Sequence, residues 1–490
     1  MEMSLKNKAF SGVAWTFGHQ LSVQVINFVV QIMLARILLP EMFGIIALLQ
    51  IFIAVGNALL DGGMTSSLIR SKDPDQADYS TVFFINLFVS LFIYAVLFLC
   101  APLIASFYTQ PVLDPVIKVY ALTFVIQGLV AVQTTRLTKE MNFKLQMFMQ
   151  LPSVVIGGVL GIYLAKKGYG VWALVWMNIV RAFIFMVLHW VYSDWRPAFI
   201  ISKEKLRYHF GFGYKLTFSS VLTSLYYNLY TIIIGKFFSA TQLGYYQQAN
   251  SLSLFTVANL STALQKVSYP LFSSINDDDE RLRNVYKRIT DVVFFLCTPL
   301  MLIFVINATP IFRLVLTEKW LPAVPFFQVL CVAYIFYPFS MYNMSIMPAK
   351  GRSDMHFRAE LVKKGISAIV LVAVMLVTKD LWGVLIAAAF SIVFQTVVNA
   401  YYAGRLIKYP TAKQFMNLVP ILSIGAVTTL VCFAAGRFVL DQLHLHDVVY
   451  IIVQSGLYLL VYVALSYVFR LSGLKESADM VMSLKRKFLK

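Results

Sequence analysis

The chain has 490 residues, of which 59% are hydrophobic and only 13% charged. That composition excludes a soluble globular fold, where about a quarter of residues are charged. A formal net charge of +18 would suit nucleic acid, but the basic residues alternate with the apolar runs along the chain instead of forming one patch, so the charge reads as membrane topology and nucleic acid is not a partner.

A span needs about 20 mainly apolar residues to cross a hydrocarbon core of about 30 Å. On that measure about fourteen spans are predicted, centred near Ser22, Phe52, Ile93, Thr123, Ile156, Arg181, Tyr226, Ala258, Thr298, Ile335, Ala368, Ile392, Gly425 and Tyr458. The short basic segment Met1 to Lys8 precedes an apolar run too long for a cleaved signal, so the first span is expected to be retained. Most of the 41 lysines and arginines fall in connections on the same side as the N-terminus. Both termini are therefore expected in the cytoplasm, which requires an even number of spans.

The first span carries Gln20, Gln24, Asn27 and Gln31, whose spacing of four, three and four confines them to a sector of about 60° on one helix face. In the second span Gln50, Asn57 and Asp61 share a sector of about 40°. Amides on an apolar helix serve either as interhelical glue or as the wall of a wet cavity. Arg181 lies near the middle of the sixth span, where a guanidinium costs at least about 2.5 kcal/mol and faces the protein interior. Its alternatives are a substrate contact and a structural pairing with carbonyls or a polar neighbour. Lys118 and Lys266 lie closer to span ends, within reach of the interface.

Shifting the sequence by 200 residues superposes the first span on the seventh: Ala35-Arg36 falls on Gly235-Lys236, Gly44 on Gly244 and Gln50 on Asn250. The first stripe then falls on Ser220, Ser224, Tyr227 and Thr231, polar in kind. A shift of 213 brings Gly170-Val171 onto Gly383-Val384. Six spans per copy makes the copies parallel repeats. The expected architecture is an all-α polytopic membrane protein with two parallel six-helix lobes around a central cavity, residues 1–208 and 209–410. Residues 411–490 then add a C-terminal helix pair and a basic cytoplasmic tail.

The acidic run Asp277 to Glu280 reads as a solvated loop capping the next helix rather than as a metal site. Cys100, Cys297, Cys331 and Cys432 lie in apolar runs without C-x-x-C spacing and read as small core residues. Gly157 and Gly161 form a G-x-x-x-G helix-packing pair, and His19 and His189 are lone intramembrane histidines. No H-E-x-x-H, G-x-S-x-G or phosphate-loop run occurs, and no metal or cofactor is expected. No carboxylate lies at mid-span, which disfavours an exporter of cationic drugs. Amides, hydroxyls and one arginine suit a ligand with many hydroxyls and an anionic group.

Leu34-Ala35-Arg36-Ile37 with Phe43-Gly44, Asp61-Gly62-Gly63-Met64 with Ile69-Arg70, then Phe210-Gly211 and Glu318-Lys319-Trp320 together resemble the Wzx-type polysaccharide flippases. These belong to the multidrug/oligosaccharidyl-lipid/polysaccharide exporter superfamily, and the likeness is to its colanic-acid and teichuronic-acid exporter branch. The resemblance covers nearly the whole chain through the order of several short motifs. It implies two six-helix lobes and a terminal helix pair in the bacterial inner membrane. It also implies a non-enzymatic activity: turning an undecaprenyl-diphosphate-linked oligosaccharide between leaflets, with membrane lipids, a polysaccharide polymerase and export machinery as partners. Two other readings stay open on the residues, a multidrug or small-lipid exporter of the same superfamily and a membrane glycan polymerase or ligase. The short external connections disfavour the enzyme.

Overall fold

The computed structural model describes Gly18, residues 22–443 and residues 445–488. Among the described residues every regular element is helical. Among the described residues ten helices are long and apolar enough to cross a membrane, and one bent pair would make eleven. The protein is a multi-pass membrane protein. Contacts divide it into two compact units, residues 1–244 and 245–490.

In the first unit the helices are α1 (Ser22–Ile37), α2 (Pro40–Asp61), α3 (Met64–Arg70), α4 (Gln76–Phe107), α5 (Leu113–Tyr120), α6 (Leu122–Gly128), α7 (Ala131–Lys139), α8 (Phe143–Lys166), α9 (Val171–Tyr192), α10 (Lys203–Tyr227) and α11 (Leu229–Phe237). Local chemistry sets their ends. Pro40 opens α2 at a position where a missing N–H costs nothing. Gly62 and Gly63 close α2 with φ of 52° and 63°, a left-handed turn that a side chain would strain. Asp75 and Asp78 form a reciprocal capping box at the start of α4. The fourth predicted span is not one rod: α5–α6 and α7 meet at 42°.

Apolar packing holds this unit at several points. Leu34, Leu38, Ala165, Ala173 and Leu174 join α1 to α8 and α9, and Leu60, Ile93, Ala121 and Phe124 join α2 to α4 and α6. Along the α8–α9 seam a Cβ on Gly157 would lie 2.9 Å from the Cβ of Arg181, and one on Gly161 would lie 2.9 Å from that of Met177. The glycine pair is thus what lets α9 approach so closely.

The second unit begins within α12 (Ala240–Ser274) and continues with α13 (Asp279–Ile306), α14 (Ala308–Val315), a 3-10 turn at Glu318–Ala323, α15 (Val324–Tyr334), α16 (Tyr337–Ala349), α17 (Ser353–Thr378), α18 (Leu381–Leu406), α19 (Thr411–Ala435), α20 (Asp447–Val468) and α21 (Ser472–Phe488). Asp278 caps α13 by accepting from the Arg281 amide at 2.9 Å, while Asp279 pairs with Lys350 at 2.8 Å and Lys408 at 3.1 Å. The acidic run is therefore a cap and an ion-pair anchor. Cys297, Cys331 and Cys432 are buried. The last helices dock on α13: the Tyr462 hydroxyl donates to the Phe295 carbonyl at 3.2 Å and Ser472 to Asp291 at 2.7 Å. The basic C-terminal segment is thus largely the helix α21.

The order of elements recurs. Pro40–Asp61, Gln76–Phe107, Phe143–Lys166 and Val171–Tyr192 are followed in the same sequence by Ala240–Ser274, Asp279–Ile306, Ser353–Thr378 and Leu381–Leu406. Two of the predicted spans, the one built from α10 and α11 and that of α12, fail the apolarity test for crossing a membrane. The first is rich in Ser, Thr and Tyr, and α12 in Ser, Thr, Tyr, Asn and Gln.

Candidate functional site

The first unit holds a partly open cavity of about 650 Å³, within the range of pockets that hold drug-sized ligands. Its wall comes from four stretches of chain. The lower half of α2 and α3 supplies Asn57, Asp61 and Thr65. The bent α5–α7 supplies Tyr120, Thr123, Gln127, Thr134, Thr135 and Thr138. Gln150 and Ser153 come from α8, and Asn178 and Arg181 from α9. Ile53, Leu60, Ile69, Val130, Ala131, Ala182 and Phe185 fill the spaces between. The bend sets α7 against α3, α4, α8 and α9.

Arg181 is half-buried, and its Nη1 donates to the Asn27 Oδ1 at 3.2 Å. That bond ties the cavity to the polar stripe of α1. Asp61 accepts from the Thr65 hydroxyl one turn further on. The cavity therefore carries one cation and one carboxylate among many neutral polar groups.

The sequence-predicted residues divide as follows. Asn57, Asp61 and Arg181 line the cavity, and Asn27 touches it through Arg181. Gln24 and Gln31 are half-buried on α1, and Gln50 is half-buried on α2. These three are not among the lining residues of this cavity. Gln20 lies outside the described residues. Ser220, Ser224 and Tyr227 sit on α10 and Thr231 on α11, either side of a helix break at Asn228. Thr231 is buried, whereas Ser220 and Tyr227 are exposed. The α5–α7 residues escape the sequence pattern. Their signal was the polar density of Gln133 to Lys139, which lowers hydropathy where the helix bends.

A second polar cluster fastens α10 to the start of α4. Ser67 Oγ lies 2.8 Å from His209 Nδ1, and His209 Nε2 lies 3.1 Å from the Asp78 carboxylate. Lys205 donates to the same carboxylate at 2.8 Å and pairs with Asp75 at 3.2 Å. The Ser-His-Asp order evokes nucleophilic catalysis, but His209 is fully buried and Ser67 is 3% exposed, so no substrate reaches the hydroxyl. Beside it a Cβ on Gly213 would lie 2.1 Å from the Gly62 carbonyl oxygen. Backbone therefore meets backbone where α10 crosses the turn after α2. His189, elsewhere on α9, is buried with its Nδ1 2.8 Å from the Phe185 carbonyl.

Residues 33–325 match the family model described as polysaccharide biosynthesis protein. The chain is 25% identical over 363 residues to the lipopolysaccharide biosynthesis protein WzxC of Escherichia coli strain K12, covering 74% of each chain. It is 24% identical over 452 residues to the teichuronic acid biosynthesis protein TuaB of Bacillus subtilis strain 168, covering 88% of this chain and 90% of that one. Its fold resembles an inward closed conformation of the lipid II flippase MurJ with a TM-score of 0.70 at 15% identity, across 93% of this chain and 98% of the other.

Proposed function

The chain belongs to the polysaccharide biosynthesis protein family, and from that premise we propose that it is a flippase for lipid-linked oligosaccharides. It transports and is not an enzyme. In this reading it sits in the bacterial inner membrane with both termini in the cytoplasm. It turns an oligosaccharide repeat unit on undecaprenyl diphosphate from the cytoplasmic to the periplasmic leaflet for surface polysaccharide synthesis.

The observation that carries the reading is the cavity of the first unit, where Arg181, Asn57, Asp61 and a set of amides and hydroxyls face one space inside otherwise apolar helices. Polar groups at membrane depth are tolerated where they line a wet cavity or meet a ligand. Family relatives named for lipopolysaccharide and teichuronic acid biosynthesis and a fold shared with a lipid II flippase support a lipid-linked glycan as cargo. Arg181 holds the anionic group of the substrate by a charge-assisted fork. Gln20, Gln24, Asn27, Gln31, Gln50, Asn57 and Asp61, with Ser220, Ser224, Tyr227 and Thr231 of the second repeat, contribute sugar contacts along the path. The short apolar α1 and the polar α10–α11 and α12 complete fourteen spans as two six-span lobes, residues 1–208 and 209–410, with residues 411–490 appended. The lobes rock in alternating access while the lipid tail stays in the bilayer. A polymerase and export machinery act on the product.

The test is glycan export in a host lacking its own flippase. The wild-type gene restores export, and Arg181→Gln at equal membrane abundance does not. Full export by Arg181→Gln removes this residue from the mechanism.

A further inference from the structure

Gly211 and Gly213 on α10 sit in opposite surroundings. A Cβ on Gly213 would lie 2.1 Å from the Gly62 carbonyl oxygen, whereas one on Gly211 would meet no described atom within 4 Å. The crossing of α10 over the turn after α2 accounts for Gly213. No described neighbour accounts for Gly211, although a glycine inside a helix weakens it. Gly211 lies on the side of α10 turned away from the docked residues His209 and Gly213, and it is exposed.

Arg207 stands one turn before Gly211 and Lys215 one turn after it, the three within a sector of about 80°. The Cα atoms of the two cations are about 12 Å apart along the axis, so the missing side chain leaves a notch with a cation at either end. Long side chains on a helix lean toward its N-terminus, which tilts Lys215 over the notch. Both cations are exposed. Lys205 is spent on Asp75 and Asp78, but among the described residues Arg207 and Lys215 have no carboxylate partner, and Lys215 lies 5.8 Å from the Tyr214 ring centroid. Glu204, the one acid of α10, stands in its first turn. Beside the notch the surface is apolar: Phe210 and Tyr214 stack with centroids 6.0 Å apart, and Phe218 and Leu225 continue the exposed strip.

α10 has 25 residues, about 37 Å of helix against a hydrocarbon core of about 30 Å, and α11 continues it. Its first turns therefore stand at the headgroup level of one leaflet. We propose that the notch seats the headgroup of a polyprenyl diphosphate in the cytoplasmic leaflet, with a phosphate against the bare backbone of Gly211 between Arg207 and Lys215 and the tail along the Phe218 strip. Charge selects this occupant: two cations around one gap match a diphosphate, whereas a phosphodiester lipid brings a single charge. The proposal rests on the flippase reading and adds to it the place where the substrate is held before it enters. On the reverse side of α10, Gly213 meets the turn after Asp61, a wall residue of the cavity. Seat and cavity wall thus lie on two sides of one helix.

The experiment is native mass spectrometry of the full chain in detergent, titrated with undecaprenyl diphosphate. Wild-type protein binds it, and a tenfold excess of phosphatidylglycerol does not displace it. Two variants are made in the Arg181→Gln background, so that the cavity's arginine does not carry the binding. Arg207→Gln with Lys215→Gln weakens binding about tenfold or more. Gly211→Leu does the same with an unfolding midpoint equal to or above that of its parent, since its side chain has room and leucine favours the helix. Displacement by phosphatidylglycerol overturns the proposal, and that arm needs no variant to fold. Unchanged affinity in either variant, or a lowered midpoint for Gly211→Leu, overturns it as well. The flippase reading fails separately, if the wild-type gene does not restore glycan export.

Discussion

At the scale of the residue, Arg181 is the side chain whose place most needs a function. Burying a guanidinium at membrane depth costs at least about 2.5 kcal/mol, and its side-chain hydrogen bond is a 3.2 Å contact to the neutral Asn27. That is weak recompense for a purely structural arginine. Arg181→Lys keeps the charge without the planar fork, and an export rate intermediate between wild type and Arg181→Gln is expected. Gln24→Leu separates glue from path at the α1 stripe: intact folding with reduced export indicates the path, and loss of membrane protein indicates glue. Asn57, Asp61 and Arg181 are legible in the sequence because a polar residue inside an apolar run stands out and helical periodicity says which ones share a face. The cavity hydroxyls are not legible in the same way. Ser and Thr weigh little in hydropathy.

At the scale of the element, the docking of α10 is the most tightly specified feature. Asp78 serves at once the capping box of α4, the imidazole of His209 and the ammonium of Lys205. Asp78→Ala removes all three partnerships and leaves His209 buried with one unmet nitrogen. A loss of about 2–3 kcal/mol is expected, with Lys205 discounted because it is about one third exposed. Denaturation of the detergent-solubilised protein reads it, and an unchanged midpoint contradicts the role. Gly213→Val tests the crossing itself. With the Gly62 carbonyl oxygen 2.1 Å from the added Cβ, α10 must move off the turn after α2, and raised cysteine accessibility along residues 205–213 is expected. The capping box at the start of α4 is made by residues three positions apart. That its second aspartate reaches residues more than a hundred positions away is not legible in the sequence, because such contacts are set by packing rather than by spacing. The 42° bend between α5–α6 and α7 is likewise hidden from a hydropathy window that averages across it.

At the scale of the whole molecule, the membrane class follows from hydropathy. The helices that fail the apolarity test, α10–α11 and α12, fail because of the side chains that make them candidates for a transport path. Orientation is a separate question, answered by labelling. Single cysteines placed in the loops near Lys139 and Arg281 are expected to react only after the membrane is made permeable, whereas one near Lys379 reacts in intact cells. The central claim, that the polar cavity carries a lipid-linked glycan across the membrane, is tested most directly by the leaflet position of that glycan in cells. Without the protein, lipid-linked repeat units are expected to accumulate where only permeabilised cells expose them to a glycan-specific label. Wild-type protein returns them to the outer face and Arg181→Gln does not. Outer-face labelling that is the same with and without the protein would contradict the account.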